Sequence, residues 1–319
     1  MVAKEWWEAR WKFVLAAVAI LAFVAFAPRP YGEIIKQAEY GIERMSAELE
    51  SPEEPVPPGA PLPPGYTKES YEQSLRDELD RMRRPDFPAE LAKLEVREIH
   101  AAEKYMFLVP LATLLGVALV SGEVSRGSIF LLLSRPVSRT RIFFTKYSVG
   151  AALLLAVALL GGMGIVISGY AHGYPAASMN VAEILASAGI FWLGTVSVLG
   201  VATLASVLFR DVIRSIIATV AALYAIFSLP DLIREATSWW YWSDRAYFDG
   251  PMAQEGWYES FEVYRITRYW AIVDPYENGP FEIPLASQQP DPMLSVLVCL
   301  IAAVLPLIVA LWLFHRKSY

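Results

Sequence analysis

The residues best able to do chemistry are polar groups held in a short basic stretch, residues 122–146, between two long apolar runs. Glu123, Arg126 and Arg139 offer a carboxylate and two guanidinium groups, and the stretch carries a net charge of +4. Such groups form ion pairs and hydrogen bonds with a partner. The chemistry they indicate is docking, although a basic loop that merely faces the cytoplasm would have the same composition.

No pattern in the chain indicates catalysis. The phosphate-binding pattern G-x-x-x-x-G-K-[ST] is absent, as are H-E-x-x-H and G-x-S-x-G. Cys299 is the only cysteine, and the three histidines (His100, His172, His315) are far apart, without metal-ligand spacing. We therefore expect no enzyme activity, no catalytic residue, and no bound metal or cofactor in this chain, and no nucleic-acid partner.

Composition predicts an all-α, polytopic membrane protein. Of the 319 residues, 55% are hydrophobic, and the mean hydropathy is +0.37. The apolar residues occur in runs of about twenty, the length that an α-helix needs to cross a bilayer. Six spans are predicted, at residues 13–27, 105–121, 147–170, 182–209, 212–229 and 293–314.

The segments outside the spans differ in character. Residues 1–12 contain three tryptophans with basic residues, which predicts either an amphipathic interfacial helix or a simple anchoring flank. Residues 28–104 form a large loop with two helical arms, Tyr31–Glu50 and Lys68–Lys104, joined by a proline-rich segment. Residues 230–292 form a second loop, acidic and rich in aromatic residues. We interpret its aromatic clusters as an interfacial belt, with a stacking platform for substrate as the alternative.

Charge predicts the orientation. The two large loops carry net charges of −6 and −7, whereas the short connectors and both ends of the chain are basic. Basic connectors face the cytoplasm, so both termini and the loop at 122–146 are predicted to be cytoplasmic, with both large loops extracytoplasmic. The protein is accordingly expected in the cell membrane, in contact with the lipid bilayer.

The predicted spans have no Asp, Glu, Lys, Arg or His at their centres. Ion-coupled carriers, voltage sensors and intramembrane proteases need such groups at depth, so a stand-alone carrier or channel is disfavoured. The membrane part therefore resembles a pathway or lever that needs an external source of energy. The loop at 122–146 is the largest cytoplasmic surface through which that energy can enter.

The loop also resembles that of a known family. Glu123-x-x-Arg126-Gly127-Ser128, followed by Leu132-Leu133-Ser134-x-Pro136-Val137-Ser138-Arg139 and a downstream Lys146, is similar to the loop between the second and third spans of type-2 ABC (ATP-binding cassette) permeases. Ser128 stands where threonine is commoner. The six spans and large first outer loop are similar to the branch that includes the nitrous-oxide-reductase maturation permease, whereas the large second outer loop is less typical.

The resemblance implies a transmembrane subunit of an ABC transporter. In that family this segment contains the coupling helix, which docks on a separate ATP-binding subunit that holds ATP and magnesium. The implied complex contains two ATP-binding subunits and a second permease chain, as a homodimer or heterodimer, and the amino-terminal helix resembles the family's connecting helix. The implied docking residues are Glu123, Arg126, Gly127, Ser128, Ile129, Leu132, Leu133, Pro136 and Arg139.

Two functions from different classes follow from these observations. The first is an exporter that moves a substrate across the membrane as ATP is hydrolysed below. The second is a mechanical membrane protein that acts on an extracytoplasmic partner protein without moving a solute, an alternative motivated by the size of the outer loops. The identity of the substrate is not encoded in any motif of the chain.

Overall fold

The structure, a computed structural model, describes residues 2–50, 68–128, 138–227 and 292–317, and its regular structure in these ranges is entirely helical. The α-helices are α1 (Val2–Phe26), α2 (Tyr31–Glu50), α3 (Lys68–Met82), α4 (Phe87–Glu103), α5 (Val109–Ser125), α6 (Arg139–Ala171), α7 (Val181–Leu208), α8 (Val212–Phe227) and α9 (Pro292–Arg316). A π-helical turn, Lys104–Leu108, joins α4 to α5, and a short 3-10 helix, Ala176–Ser178, precedes α7.

Five helices of the described chain are long and apolar enough to cross a membrane. The qualifying segments are Ala9–Phe26, Met106–Ser125, Arg139–Ala171, Ala176–Leu208 and Val296–Arg316. The fifth predicted span, 212–229, corresponds to α8, whose described part, Val212–Phe227, has 16 apolar-rich helical residues, fewer than the roughly twenty of a typical span; residues 228 and 229 lie outside the described residues. A multi-pass, helical membrane protein is thus confirmed, and the sixth span stays a prediction.

Burial separates the core helices from those that face lipid. Both α5 and α7 are apolar all round and largely buried, as expected of helices enclosed by other helices. In contrast, α1 and α9 expose large apolar side chains, among them Leu15, Val18, Leu305 and Ile308. In a membrane these surfaces would contact acyl chains, so α5 and α7 form the centre of the bundle, with α6, α8 and α9 packed around them.

The contact between α5 and α7 is unusually close. A Cβ atom placed on Gly116 of α5 would lie 2.6 Å from the Cβ of Ala202 and 2.8 Å from the carbonyl oxygen of Leu199, both on α7. Further along, the hydroxyl of Ser206 on α7 accepts hydrogen bonds from the backbone amides of Val120 and Ser121, at 2.9 and 2.8 Å. Small and hydroxyl residues therefore bring the two helices together, as they do in membrane interiors generally.

Two opposite ends of the bundle can be recognised. At the first, which we call the domain end, α2, α3 and α4 pack together beside the end of α1 and the start of α7. At the second, the loop end, α5 ends and α6 begins, next to the beginning of α1 and the end of α9. The described parts of the predicted loop 28–104, residues 28–50 and 68–104, thus lie at the end opposite residues 122–128 and 138–146.

Some boundaries differ from those predicted. Residues 2–26 form one continuous helix, without a break between the predicted interfacial helix and the first span. The predicted arm Lys68–Lys104 is interrupted between Met82 and Phe87, where Pro85 and Pro88 oppose a continuous helix. The proline-rich segment and nearly all of the aromatic loop, residues 51–67 and 228–291, lie outside the described residues.

Candidate functional site

The loop at 122–146 begins with a well-defined helix end. Its first part continues α5 to Ser125, after which the chain turns sharply: Gly127 has a φ of +72°, and its amide donates to the carbonyl oxygen of Val124 at 3.0 Å. This left-handed conformation strains residues with a Cβ atom but not glycine. Glycine at this position therefore ends the helix and sets the direction in which the loop leaves the bundle.

Glu123, the only acidic residue of the loop, is buried just before this turn. Its carboxylate forms an ion pair with Lys146 of α6, with 2.7 Å between Oε1 and Nζ, and the two side chains are 5% and 8% exposed. The hydroxyl of Ser128 donates a hydrogen bond to the same carboxylate. We refer to Glu123, Ser128 and Lys146 as the clasp, because they join the two ends of the loop.

Burial makes the clasp a strong structural constraint. Removing a carboxylate or an ammonium group from water costs several kcal/mol, and this cost is offset only where the charges pair closely and receive further hydrogen bonds. Glu123 and Lys146 lie 23 positions apart, on different helices. Displacement of either helix end would separate the charges in a low-dielectric environment, so the clasp resists independent movement of α5 and α6.

The far end of the loop is also fixed. The hydroxyl of Ser138 caps α6 by accepting a hydrogen bond from the amide of Arg141 at 3.3 Å. The guanidinium of Arg139 donates to the carbonyl oxygen of Lys317 at 2.9 Å and to that of Phe314 at 3.4 Å. Arg139 thus holds the start of α6 against the end of α9.

The end of α9 is bound in turn to α7. The ammonium group of Lys317 donates to the carbonyl oxygens of Val207 and Leu208, each at 2.7 Å, at the end of α7, where helix carbonyls lack partners within the helix. Burial, together with the nearby charge of Arg210, lowers the pKa of Lys317. The loop end is therefore a connected polar layer that joins α5, α6, α7 and α9.

The predicted docking residues occupy different environments. Glu123 is buried in the clasp, Ser128 is hydrogen-bonded to it, and Arg139 binds the end of α9. Arg126 is exposed beside Gly127 and forms no ion pair within the described ranges. The remaining predicted docking residues lie in 129–137, outside the described residues: Ile129, Leu132, Leu133 and Pro136.

Two functional lysines were not predicted as site residues. Lys146 was recognised only as part of the loop pattern, although a lone acid and a lysine on opposite sides of a basic loop signal a pair that could bridge it. Lys317 gives no such signal, because its partners are backbone carbonyls at the end of another helix. Within the part of the chain that the structure describes, no group of histidine, cysteine and acidic residues could hold a metal ion.

Comparison with known proteins gives one match. The family described as "ABC-2 family transporter protein" matches residues 12–319, nearly the whole chain. No curated protein matches.

Proposed function

The chain belongs to the ABC-2 family of transporter proteins, and we propose that it exports its substrate with energy from ATP hydrolysed by a separate subunit. Membership makes the chain a permease subunit of an ABC transporter, a multi-pass membrane protein whose partner is an ATP-binding subunit. The proposal adds export, six spans and cytoplasmic termini in the cell membrane. It also adds two ATP-binding subunits, which hold ATP and magnesium, and a second permease chain.

One observation carries this proposal: the buried ion pair between Glu123 and Lys146 at the base of the loop. A subunit that pushes on the loop would move α5 and α6 together, because the clasp opposes their separation. Since α5 packs closely on α7, the movement would pass directly into the centre of the bundle. The loop end therefore has the rigid packing expected of a site at which an ATP-binding subunit would apply force.

Within this proposal the loop residues divide into two roles. Glu123, Ser128 and Lys146 position the loop, because their polar groups are directed at one another. Arg126 is exposed and has a guanidinium available to a carboxylate of the ATP-binding subunit. Ile129, Leu132, Leu133 and Pro136 stay predicted docking residues on the strength of the loop pattern.

Co-purification tests the docking surface. We expect the wild-type chain, extracted in mild detergent, to retain an ATP-binding subunit, and Arg126→Glu to lose most of it while still inserting into the membrane. Arg84→Glu, an exposed arginine at the domain end, is the matched control and should retain the subunit. Recovery of the wild-type chain without any ATP-binding subunit, or equal recovery with Arg126→Glu, would contradict the proposal.

A transport measurement tests whether the substrate is exported or imported. In inside-out membrane vesicles, an exporter accumulates substrate when ATP is added outside, and an importer does not. We expect ATP-dependent accumulation of at least one compound from a panel of labelled lipids, peptides and apolar drugs. A variant of the ATP-binding subunit that binds but does not hydrolyse ATP is the control. Depletion of preloaded compound on addition of ATP would reverse the proposed direction.

A second candidate function, mechanical action on an extracytoplasmic partner, is favoured by one specific feature. The helices α4 and α5, with the π-helical turn between them, form an uninterrupted helical rod of 39 residues, Phe87–Ser125. At 1.5 Å per residue the rod is about 58 Å long, and it runs from the domain end to the clasp. Movement at the loop would therefore reach the outer helices directly.

Ion pairs connect this rod to its neighbours at the domain end. The carboxylate of Glu95 on α4 accepts from the backbone amide and the guanidinium of Arg29, at 2.8 and 3.0–3.1 Å. Lys93 pairs with Glu183 at the start of α7, at 3.6 Å. The outer part of the rod is thus attached to two further membrane helices, and movement of the rod would be imposed on the whole domain end.

Distance measurements test the mechanical candidate. With Cys299, the only cysteine, replaced by serine, spin labels can be placed at the exposed Glu98 of α4 and the exposed Tyr224 of α8, a helix outside the polar layer of the loop end. Trapping the complex with ATP and vanadate should change the distance between labels, while the vesicle assay shows no transported compound. An unchanged distance would exclude transmission through the rod, and a transported compound would favour the exporter.

A further inference from the structure

A second polar feature lies beside the clasp, in a cleft at the loop end between α1, α5 and α6. Its charged lining residues are Lys12 of α1, Glu123 and Arg126 of α5 and its end, and Lys146 of α6. Three cations thus face one carboxylate, a net charge of +2. The cleft has a cavity volume of about 90 Å³, and it is open to the surroundings of the protein.

The walls of the cleft are apolar. Leu115 and Leu119 of α5, Val149 of α6 and Leu199 of α7 line it below the charged groups. Lys12 lies within the apolar segment Ala9–Phe26, and its ammonium group reaches the carbonyl oxygen of Leu114 on α5, at 3.4 Å. Lys12 therefore lies at the contact between α1 and α5, at one side of the cleft.

The flanking residues place this cleft at the surface of the membrane. On the same helix, Trp7 and Trp11 are 59% and 70% exposed, and the guanidinium of Arg10 lies 3.6 Å above the ring of Trp7. Exposed tryptophans next to basic residues are typical of the headgroup region of a bilayer. Lys12 comes directly after Trp11, so the cleft lies where lipid phosphates are found.

We propose that this cleft binds the phosphate of an anionic phospholipid from the leaflet at the loop end. Basic pockets between membrane helices are known to hold anionic headgroups. The net positive charge matches a phosphodiester, and the apolar walls match the first part of an acyl chain. The inference rests on the chain being embedded in a membrane and does not require export.

Binding there would affect the loop. The phosphate would lie between Arg126, the exposed residue of the turn, and Lys12 of α1, next to the clasp. A bound anionic lipid would add a counter-charge at the base of the loop and hold α1 against α5 and α6. If the proposed docking role of Arg126 is correct, the lipid also sets the availability of that residue to the ATP-binding subunit.

Native mass spectrometry of the purified chain tests the proposal. The probes are vesicles with equal amounts of phosphatidylglycerol and phosphatidylcholine. We expect the chain to retain phosphatidylglycerol selectively. Each cation near the membrane surface contributes about 1 kcal/mol of binding free energy, a factor of about five. Retention should therefore fall about fivefold with Lys12→Gln and about 30-fold when Arg126→Gln is added. Arg10→Gln is the matched control: it removes a neighbouring cation that does not line the cleft, and should leave retention unchanged.

A charge-preserving variant and a competition experiment complete the test of the lipid site. Lys12→Arg with Arg126→Lys preserves both charges and should retain the lipid, which separates loss of charge from loss of folding. Equal retention of both lipids, or no effect of the double Gln variant, would overturn the proposal. Displacement of the lipid by an excess of inorganic phosphate would also overturn it by showing a site for a free anion.

These outcomes are independent of the proposed function. Phosphatidylglycerol retention is measured on the isolated chain, whereas docking is measured by recovery of the ATP-binding subunit. Loss of lipid selectivity with normal recovery of the subunit would overturn only the lipid site. If Arg126→Glu fails to recover the ATP-binding subunit and the wild-type chain retains phosphatidylglycerol selectively, both the docking proposal and the lipid site are supported.

Discussion

At the scale of single residues, the clasp is stable only while both of its charges are present. Glu123 and Lys146 are each less than a tenth exposed, and their charged atoms are 2.7 Å apart. When one member of a buried pair is removed, the other charge is left without compensation, which typically costs 3–5 kcal/mol. When both are replaced by apolar residues of similar size, the cost is often small.

We therefore predict that Glu123→Leu or Lys146→Met alone destabilises the chain by about 3 kcal/mol, and that the double variant recovers most of this loss. The measurement is thermal unfolding of the purified chain in detergent. Glu39→Leu, at an exposed position of α2, serves as the control and should change stability little. A double variant as unstable as the sum of the two single variants would show that the residues act separately.

The same variants distinguish stability from coupling. If the clasp transmits force, the double variant should remain folded and retain the ATP-binding subunit, yet hydrolyse ATP without a corresponding rate of transport. A role in stability alone predicts that transport per ATP hydrolysed is unchanged. The ratio of the two rates, measured on the same vesicles, therefore separates a positioning role for Glu123 from a merely structural one.

At the scale of helices, the contact between α5 and α7 depends on the absence of a side chain at Gly116. The nearest atoms to an added Cβ include the backbone carbonyl oxygen of Leu199, at 2.8 Å, which cannot rotate away. The two helices would have to separate, and this would also strain the hydrogen bonds to Ser206. A single methyl group at this position therefore perturbs packing along the whole contact.

We predict that Gly116→Ala destabilises the chain by about 1–3 kcal/mol, the usual cost of overpacking, and reduces transport. Gly189→Ala is the matched control, because an added Cβ at Gly189 of α7 meets nothing within 4 Å. In a helix this control substitution should be neutral or slightly stabilising. Equal effects of the two substitutions on thermal unfolding would refute the importance of the close contact.

Periodicity and composition were sufficient to predict most of the helices. Long apolar runs marked five spans, and α2 occupies the predicted range Tyr31–Glu50. The sequence did not predict that α4 would continue into α5. The connection is made through the π-helical turn Lys104–Leu108, and Pro110, which has no backbone amide to donate, follows two residues after it.

The candidate site was less predictable than the helices. Its position followed from the loop pattern, but a pattern along the chain does not show which polar residues turn inward. Glu123 was interpreted as a possible contact for a partner, whereas the structure buries it against Lys146. The contacts of Lys317 depend on where the ends of α7 and α9 meet, and this is determined by the packing of the whole bundle.

At the scale of the whole molecule, the domain end and the loop end are connected by the rod Phe87–Ser125, and the outer attachments of the rod are its ion pairs. Glu95 accepts two hydrogen bonds from Arg29 and forms an ion pair with its guanidinium, and this interaction raises the pKa of Arg29 above its ordinary value. A raised pKa favours the charged form, so Arg29 stays charged and the pair persists throughout the neutral and moderately alkaline range.

We predict that Glu95→Gln weakens the attachment of α4 to the junction of α1 and α2. Because Arg29 is half exposed, the expected loss is about 1–2 kcal/mol, less than for the clasp. Hydrogen exchange should show faster opening of α2 and α4, while α5 and α7 keep their protection. Glu39→Gln, at an exposed position of α2, is the control and should leave exchange unchanged.

The same variant bears on how force crosses the molecule. If the domain end follows the loop through the rod, Glu95→Gln should reduce the change in distance between labels on α4 and α8 in the vanadate-trapped complex. ATP hydrolysis should continue, because the clasp and the docking surface lie at the opposite end. A full change in distance despite the broken ion pair would mean that the rod alone carries the movement, with Arg29 serving only to stabilise the fold.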